Sequence, residues 1–320
     1  MLARLRSSTL LRVLLALVAL GFLAYGVART WDETSKALSA MSPASVLAAL
    51  AAVLAGQLCM VLAWRRILAG LGSPLPLRMA GRIMFVGQLG KYIPGTVWAY
   101  AAMMELGRSQ GSPPTRTFAT ISLGLLVNLG VALGLAAATA QQAFAGAWYL
   151  LLLIPLIIVC LHPRVLTWGL NLALRLARRE PLESVLPGRA LLVAVAWTAL
   201  GWACWGLHIW LLGGSGYPVS TGAFAFAWAS GLLVFFIPSG VGVREGALVV
   251  VLGPLIGAPV ALAIGIVSRL VFTLSELLMA GLFFLLGRQS SSSAAVYEAQ
   301  NGSGSTALTP ERNRSGSPGS

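Results

Sequence analysis

The sequence predicts an all-α polytopic membrane protein, with about six full transmembrane helices plus two opposed re-entrant hairpins in an inverted repeat. Three observations predict it. First, 58% of the 320 residues are hydrophobic and only 10% are charged, with a mean hydropathy of +0.84, which excludes a soluble globular domain. Second, Phe235 to Gly246, FFIPSGVGVREG, sets an arginine and a glutamate inside apolar sequence. A charge in hydrocarbon costs about 3 kcal/mol on insertion scales, so it marks a site or a pathway. Third, GQLGKYIPGTVW at Gly87 to Trp98 aligns without gaps against GLLVFFIPSGVG at Gly231 to Gly242, 144 residues later. Each copy has an Ile-Pro pair, a break inside an apolar run and a nearby cation, Lys91 or Arg244. Paired, interrupted hydrophobic segments in corresponding halves point to a site built on broken helices.

In chain order, Arg4, Arg6 and Arg12 precede an apolar run from Val13 to Ala28. Its length and charge suit a first transmembrane helix or a signal-peptide core, and the polytopic body that follows favours the helix. Arg29 to Ser42 reads as a short polar loop, and Pro43 to Trp64 as the second helix, ending at Arg65 and Arg66. Gly81 to Met104 holds the first interruption and has arginines on both sides, which fits a hairpin entering and leaving by one face. Thr117 to Thr139 and Ala147 to Leu161 read as the third and fourth spans. From Arg164 to Arg179 the polar positions Thr167, Asn171, Arg175 and Arg178 recur at helical spacing, which predicts a surface-lying or solvated helix with Trp168 near the headgroups. Ala190 to Leu212 is the fifth span, Thr221 to Pro254 holds the second interruption, and Ala258 to Leu286 is the last span. The transmembrane body thus covers residues 1–287, with repeat halves at about 43–140 and 189–286. Residues 288–320 are rich in Ser, Gly, Asn and Pro and read as a disordered cytoplasmic tail.

Counting basic residues orients the chain. Of the 22 Lys and Arg, only Arg29 and Lys36 fall outside and Lys91, Arg244 and Arg269 at membrane depth, so the rest lie inside with both termini. This scattering among short loops argues against nucleic-acid binding, which needs a clustered basic face. It predicts a multi-pass protein of the cell membrane. Three spans lie between the two interruptions, and an odd number inverts the second repeat relative to the first.

The candidate site residues follow from burial cost and chemistry. Lys91 is one of two lysines in the chain and stands beside Tyr92, Pro94, Gly95 and Trp98 at the first hairpin tip, where a compact ammonium suits a phosphate. Its bland reading is a lysine snorkelling to the surface. Pro238, Gly240 and Gly242 break the second helix where Arg244 and Glu245 lie, and these two charges either serve a ligand or neutralise each other. Arg269 and Glu276 are seven residues apart on one face of the last span, with Ser268 and Ser275 on an adjoining stripe, a polar seam for a headgroup. His208 and Asn128 read as interhelical hydrogen-bonding residues. Helix starts after Gly95 and Gly242 would add free N–H groups, so the expected ligand is anionic. Cys59, Cys160 and Cys204 lie in apolar segments with no metal spacing, and no cofactor is expected.

GKYIPGTVW at Gly90 to Trp98, IPSGVGVRE at Ile237 to Glu245 and SRL at Ser268 to Leu270 resemble the signatures of the transmembrane, flippase-like domain of the lysylphosphatidylglycerol synthase family, a likeness covering about residues 10–287. In that family the membrane domain moves aminoacylated phosphatidylglycerol between leaflets, and a separate cytosolic domain makes it from aminoacyl-tRNA. The tail here has no room for the synthase domain. The resemblance therefore implies a stand-alone translocator of an anionic membrane lipid, the cargo being an anionic phospholipid or another lipid phosphate, such as a polyprenyl-linked sugar.

Two other functions compete. An accessory membrane subunit would recruit a separate synthase or glycosyltransferase through the basic inner surface, alone or as an oligomer. A polyprenyl-phosphate-dependent transferase would need an acid or base, and Asp32, the one aspartate, and Glu33 in the first outer loop are all that the chain offers. No catalytic or metal motif is found, so the expectation is a non-enzyme.

Overall fold

The computed structural model describes residues 31–92, 97–144, 146–176, 186–234 and 242–302. Among these residues the chain is almost wholly helical and has no strand. Four helices are long and apolar enough to cross a membrane: α2 (Pro43–Gly70), α5 (Pro114–Ala143), α8 (Gly188–Leu211) and the Ala258–Leu286 part of α11 (Ala258–Gly302). The expected first span, Val13 to Ala28, lies outside the described residues. The four spans match the predicted second, third, fifth and last.

Two expectations need correction. Arg29 to Ser42 is not simply a loop, because Trp31–Ala40 forms helix α1, which buries Thr34 and packs on α11. The fourth apolar run is not a full straight span. Ala147–Leu152 is a 3-10 turn and Leu153–Cys160 the helix α6, and the run then bends by 73° into α7 (Pro163–Leu176). Six residues of 3-10 and eight of α-helix rise only roughly 24 Å, short of a bilayer core. Pro163 explains the bend, since a proline opens a helix readily and drives the residue before it away from helical dihedrals.

Helix α7 turns Leu166, Thr167 and Leu170 into the core against α5 and leaves Arg164, Trp168, Leu172 and Arg175 exposed. Thr167 is therefore not part of a solvated stripe. Trp168 is 68% exposed. At the other end, α11 continues as helix to Gly302, past the point where a disordered tail was expected to begin.

Both interrupted elements are helical hairpins. In the first, α3 (Leu77–Gly81), a π turn (Arg82–Val86) and a 3-10 turn (Leu89–Tyr92) form one arm, and α4 (Val97–Ser109) the other. A Cβ at Gly87 would stand 2.4 Å from Met103 Cγ, and one at Gly90 would stand 2.8 Å from Ala99 N, so the arms run antiparallel in backbone contact. The second hairpin joins α9 (Tyr217–Leu233) to α10 (Val243–Ile256). All four arms are 17 residues or shorter, below the roughly 20 needed to cross a bilayer.

The packing is reciprocal between the halves. Helices α2 and α8 cross with Gly56 against Gly201, where a Cβ at Gly56 would lie 3.0 Å from the Gly201 carbonyl. Lipid gives no hydrophobic drive to helix pairing, so small residues that admit close contact decide where helices meet. The second hairpin's α9 packs on α5 of the first half, and the first hairpin's π turn packs on α11 of the second. Trp202 is fully buried at the centre, edge-on to Trp205 and Trp228, and its indole N–H donates to Asn128 Oδ1 at 2.7 Å.

Candidate functional site

Gly242 has φ +82°, a left-handed conformation that suits glycine, and it starts α10 immediately before the two charges. Its N–H donates to Glu245 Oε2 at 2.7 Å, so the carboxylate caps the first turn of its own helix. The other oxygen, Oε1, accepts from Arg269 Nη1 at 2.7 Å. The Glu245 side chain is 3% exposed and Arg269 26%. Glu245 is thus bonded on both oxygens and ties α10 to α11.

Arg244 is held differently. Its Cζ lies 5.3 Å from the centroid of Phe224 and 5.6 Å from that of Phe272, and among the described residues it makes no ion pair. Phe224, Arg244, Glu245, Leu248, Gly265, Ser268 and Arg269 line a narrow crevice with room for about one water. A shallow surface indentation lies between the first hairpin and α11, lined by Phe85, Gln88, Leu89 and Glu276.

The structure therefore brings together Gly242, Arg244, Glu245 and Arg269, and sets Glu276 one stage further along α11 against the other hairpin. The serine seam is corrected at Ser275, whereas Ser268 borders the crevice. Ser268 and Ser275 are buried in helix contacts: Ser268 Oγ is 2.9 Å from His208 Nε2, and Ser275 Oγ accepts from Gln57 Nε2 at 2.8 Å. His208 and Asn128 are interhelical partners, as read from sequence. Lys91 and Tyr92 are placed as backbone in the 3-10 turn, and Trp98, on the other arm, is 56% exposed. Pro94, Gly95, Pro238 and Gly240 lie outside the described residues. Sequence reasoning missed Phe224 and Phe272, because phenylalanines in an apolar chain carry no signal until a cation is seen resting on them.

Residues 9–281 match the family model of the lysylphosphatidylglycerol synthase transmembrane region. The chain belongs to that family. No curated protein matches it. As a lysylphosphatidylglycerol synthase transmembrane-region protein with several membrane-length helices, it is an integral, multi-pass membrane protein of lipid metabolism or transport.

Proposed function

We propose that the protein moves an anionic phospholipid, or a lipid-phosphate-linked headgroup, between leaflets of the cell membrane. The observation that supports this is the state of Arg244. Its neighbour Glu245 is neutralised by Arg269, and Arg244 itself rests on two rings in a narrow crevice. A guanidinium is charged at any working pH and matches phosphate with two parallel donors. Lys91, at the end of the first hairpin's arm, supplies a second cation in this reading.

The inverted repeat belongs to the same proposal and is supported by register. Helices α5 and α11 begin 144 residues apart, at Pro114 and Ala258. Trp64 lies against Gly124, and 144 residues on from each, His208 bonds Ser268. Opposed hairpins rocking about the α2–α8 crossing would expose the crevice to one leaflet and then the other. With both termini cytoplasmic, no catalytic group is assigned.

The test is leaflet exchange in proteoliposomes carrying headgroup-labelled phosphatidylglycerol, read by reduction of the label on the outer face. The intact protein exchanges the label, and Arg244→Gln slows exchange about tenfold or more at unchanged thermal stability. Intact protein that leaves the label on its original side, while co-purifying with a soluble synthase, would overturn the reading in favour of an accessory subunit.

A further inference from the structure

Phe224 and Phe272 stack on each other, with centroids 5.2 Å apart and planes inclined by 30°, although they come from α9 and α11. Arg244 lies over both rings. His208, from α8, meets the same two rings edge-on, at 4.7 Å and 85° to Phe224 and at 5.3 Å and 69° to Phe272. Its own orientation is fixed at both nitrogens. Nδ1 contacts the Trp205 carbonyl, which only accepts, so Nδ1 carries the proton and Nε2 accepts the Ser268 hydroxyl at 2.9 Å. Two helices therefore bring rings to Arg244, and a third, α8, backs those rings with His208.

We infer that Phe224, Phe272 and His208 are positioning residues that hold the Arg244 guanidinium by its face and present its in-plane N–H donors to the headgroup phosphate. This rests on the translocator reading of the crevice. The physical point is that the two interactions use different parts of the group. Cation–π attraction acts on the face of the guanidinium, whereas its five N–H donors lie in its plane, so a stacked arginine can still grip phosphate with both prongs. A free arginine would surrender side-chain freedom on binding, and one already held on the rings surrenders less. A carboxylate partner would hold the arginine too, but it would occupy the donors that the phosphate needs. In this chain the carboxylate nearest in sequence, Glu245, is occupied by Arg269 and Gly242.

The test uses the full chain in neutral detergent, titrated with dihexanoylphosphatidylglycerol, with dihexanoylphosphatidylcholine as the headgroup control. The double variant Phe224→Leu/Phe272→Leu keeps apolar bulk but removes both ring quadrupoles, and its affinity for the anionic lipid should fall about tenfold. Its affinity for the choline lipid should stay near that of the parent, although its melting temperature falls because two buried rings are lost. Phe224→Trp/Phe272→Tyr, which keeps two π faces, should recover most of the loss. His208→Ala should fall between the two. If Arg244→Gln lowers affinity for the anionic lipid but the double leucine variant binds it like the parent, the platform role is wrong and the phosphate site stands. If Arg244→Gln binds it unchanged, the phosphate site is wrong and the platform falls with it. A double leucine variant that weakens both lipids equally assigns the rings to general packing and overturns the inference.

Discussion

Gly222 lies so close to Thr139 that a Cβ on it would stand 1.6 Å from Thr139 Oγ1. This contact docks the second hairpin on α5. Thr139 cannot swing aside freely, because Oγ1 donates to Leu135 O at 2.9 Å and its Cβ would still be 2.8 Å away. Gly222→Ala should therefore destabilise by about 1–3 kcal/mol through overpacking. Adding Thr139→Ala should restore only part of this. Thermal melts of the purified variants check both.

Gly81 against Phe283 is the partner contact on the other hairpin, with a Cβ at Gly81 meeting the ring at 2.2 Å. Shifted by 144 residues, Phe283 falls on Thr139, and Gly81 falls within one helical turn of Gly222. Gly81→Val should be at least as harmful as Gly222→Ala, since a packed aromatic ring has less room to yield than a hydroxyl. A melting temperature equal to the parent's would count against hairpin docking on α11.

Breaking the Glu245–Arg269 pair should cost stability whichever partner goes. Glu245→Ala removes one partner of Arg269 and the cap of α10, and Arg269→Ala leaves a buried carboxylate without its cation, each at about 2–4 kcal/mol. The double variant should cost less than the sum. A double-mutant cycle in chemical denaturant measures the coupling, and zero coupling would mean that the pair does not form.

Gln57 and Ser275 give a milder and different pattern. Gln57→Leu removes the donor to Ser275 together with a buried carbonyl oxygen that has no partner among the described residues. Ser275 keeps its bond to Phe272 O at 2.7 Å. Gln57→Leu should thus lie within about 1 kcal/mol of the parent, because the loss of one bond is offset by the loss of an orphaned acceptor. A loss several times larger would show that Gln57 serves something other than the helix contact.

The segment that the proposed repeat pairs with the charged site carries no copy of its charges. Counted back by 144, Arg244, Glu245, Arg269 and Glu276 fall on Tyr100, Ala101, Leu125 and Ala132. If the halves share one architecture, Ala101 and Leu125 face each other across α4 and α5, as Gly107 and Thr117 do nearby. Leu125→Arg alone should be strongly destabilising, and Ala101→Glu added to it should recover about 1 kcal/mol or more of coupling energy. Additive losses would refute the shared register.

Much of this was legible in the chain because lipid leaves few choices. Apolar runs of membrane length must be helices, since no water is present to satisfy bare backbone, and α2, α5, α8 and α11 fall where composition put them. The expense of Arg244, Glu245, Arg269 and Glu276 in such runs was equally visible. The run Ala147 to Leu161 misled because apolarity reports what a segment tolerates, not its length as a straight rod, and the bend at Pro163 shortens it. Ser275 misled because helical periodicity places residues on a stripe without naming the neighbour that covers it.

By itself, then, the sequence determined that the chain is a helical membrane protein with two broken segments and a small set of charges too costly to be idle. Which charges cancel and which remain was decided only in three dimensions. Glu245 is bonded to Arg269 of α11, and Arg244, its immediate neighbour, rests on two rings, Phe224 of α9 and Phe272 of that same α11. The physical reason is that adjacent residues on a helix point about 100° apart, so each meets a different partner, and only packing says which.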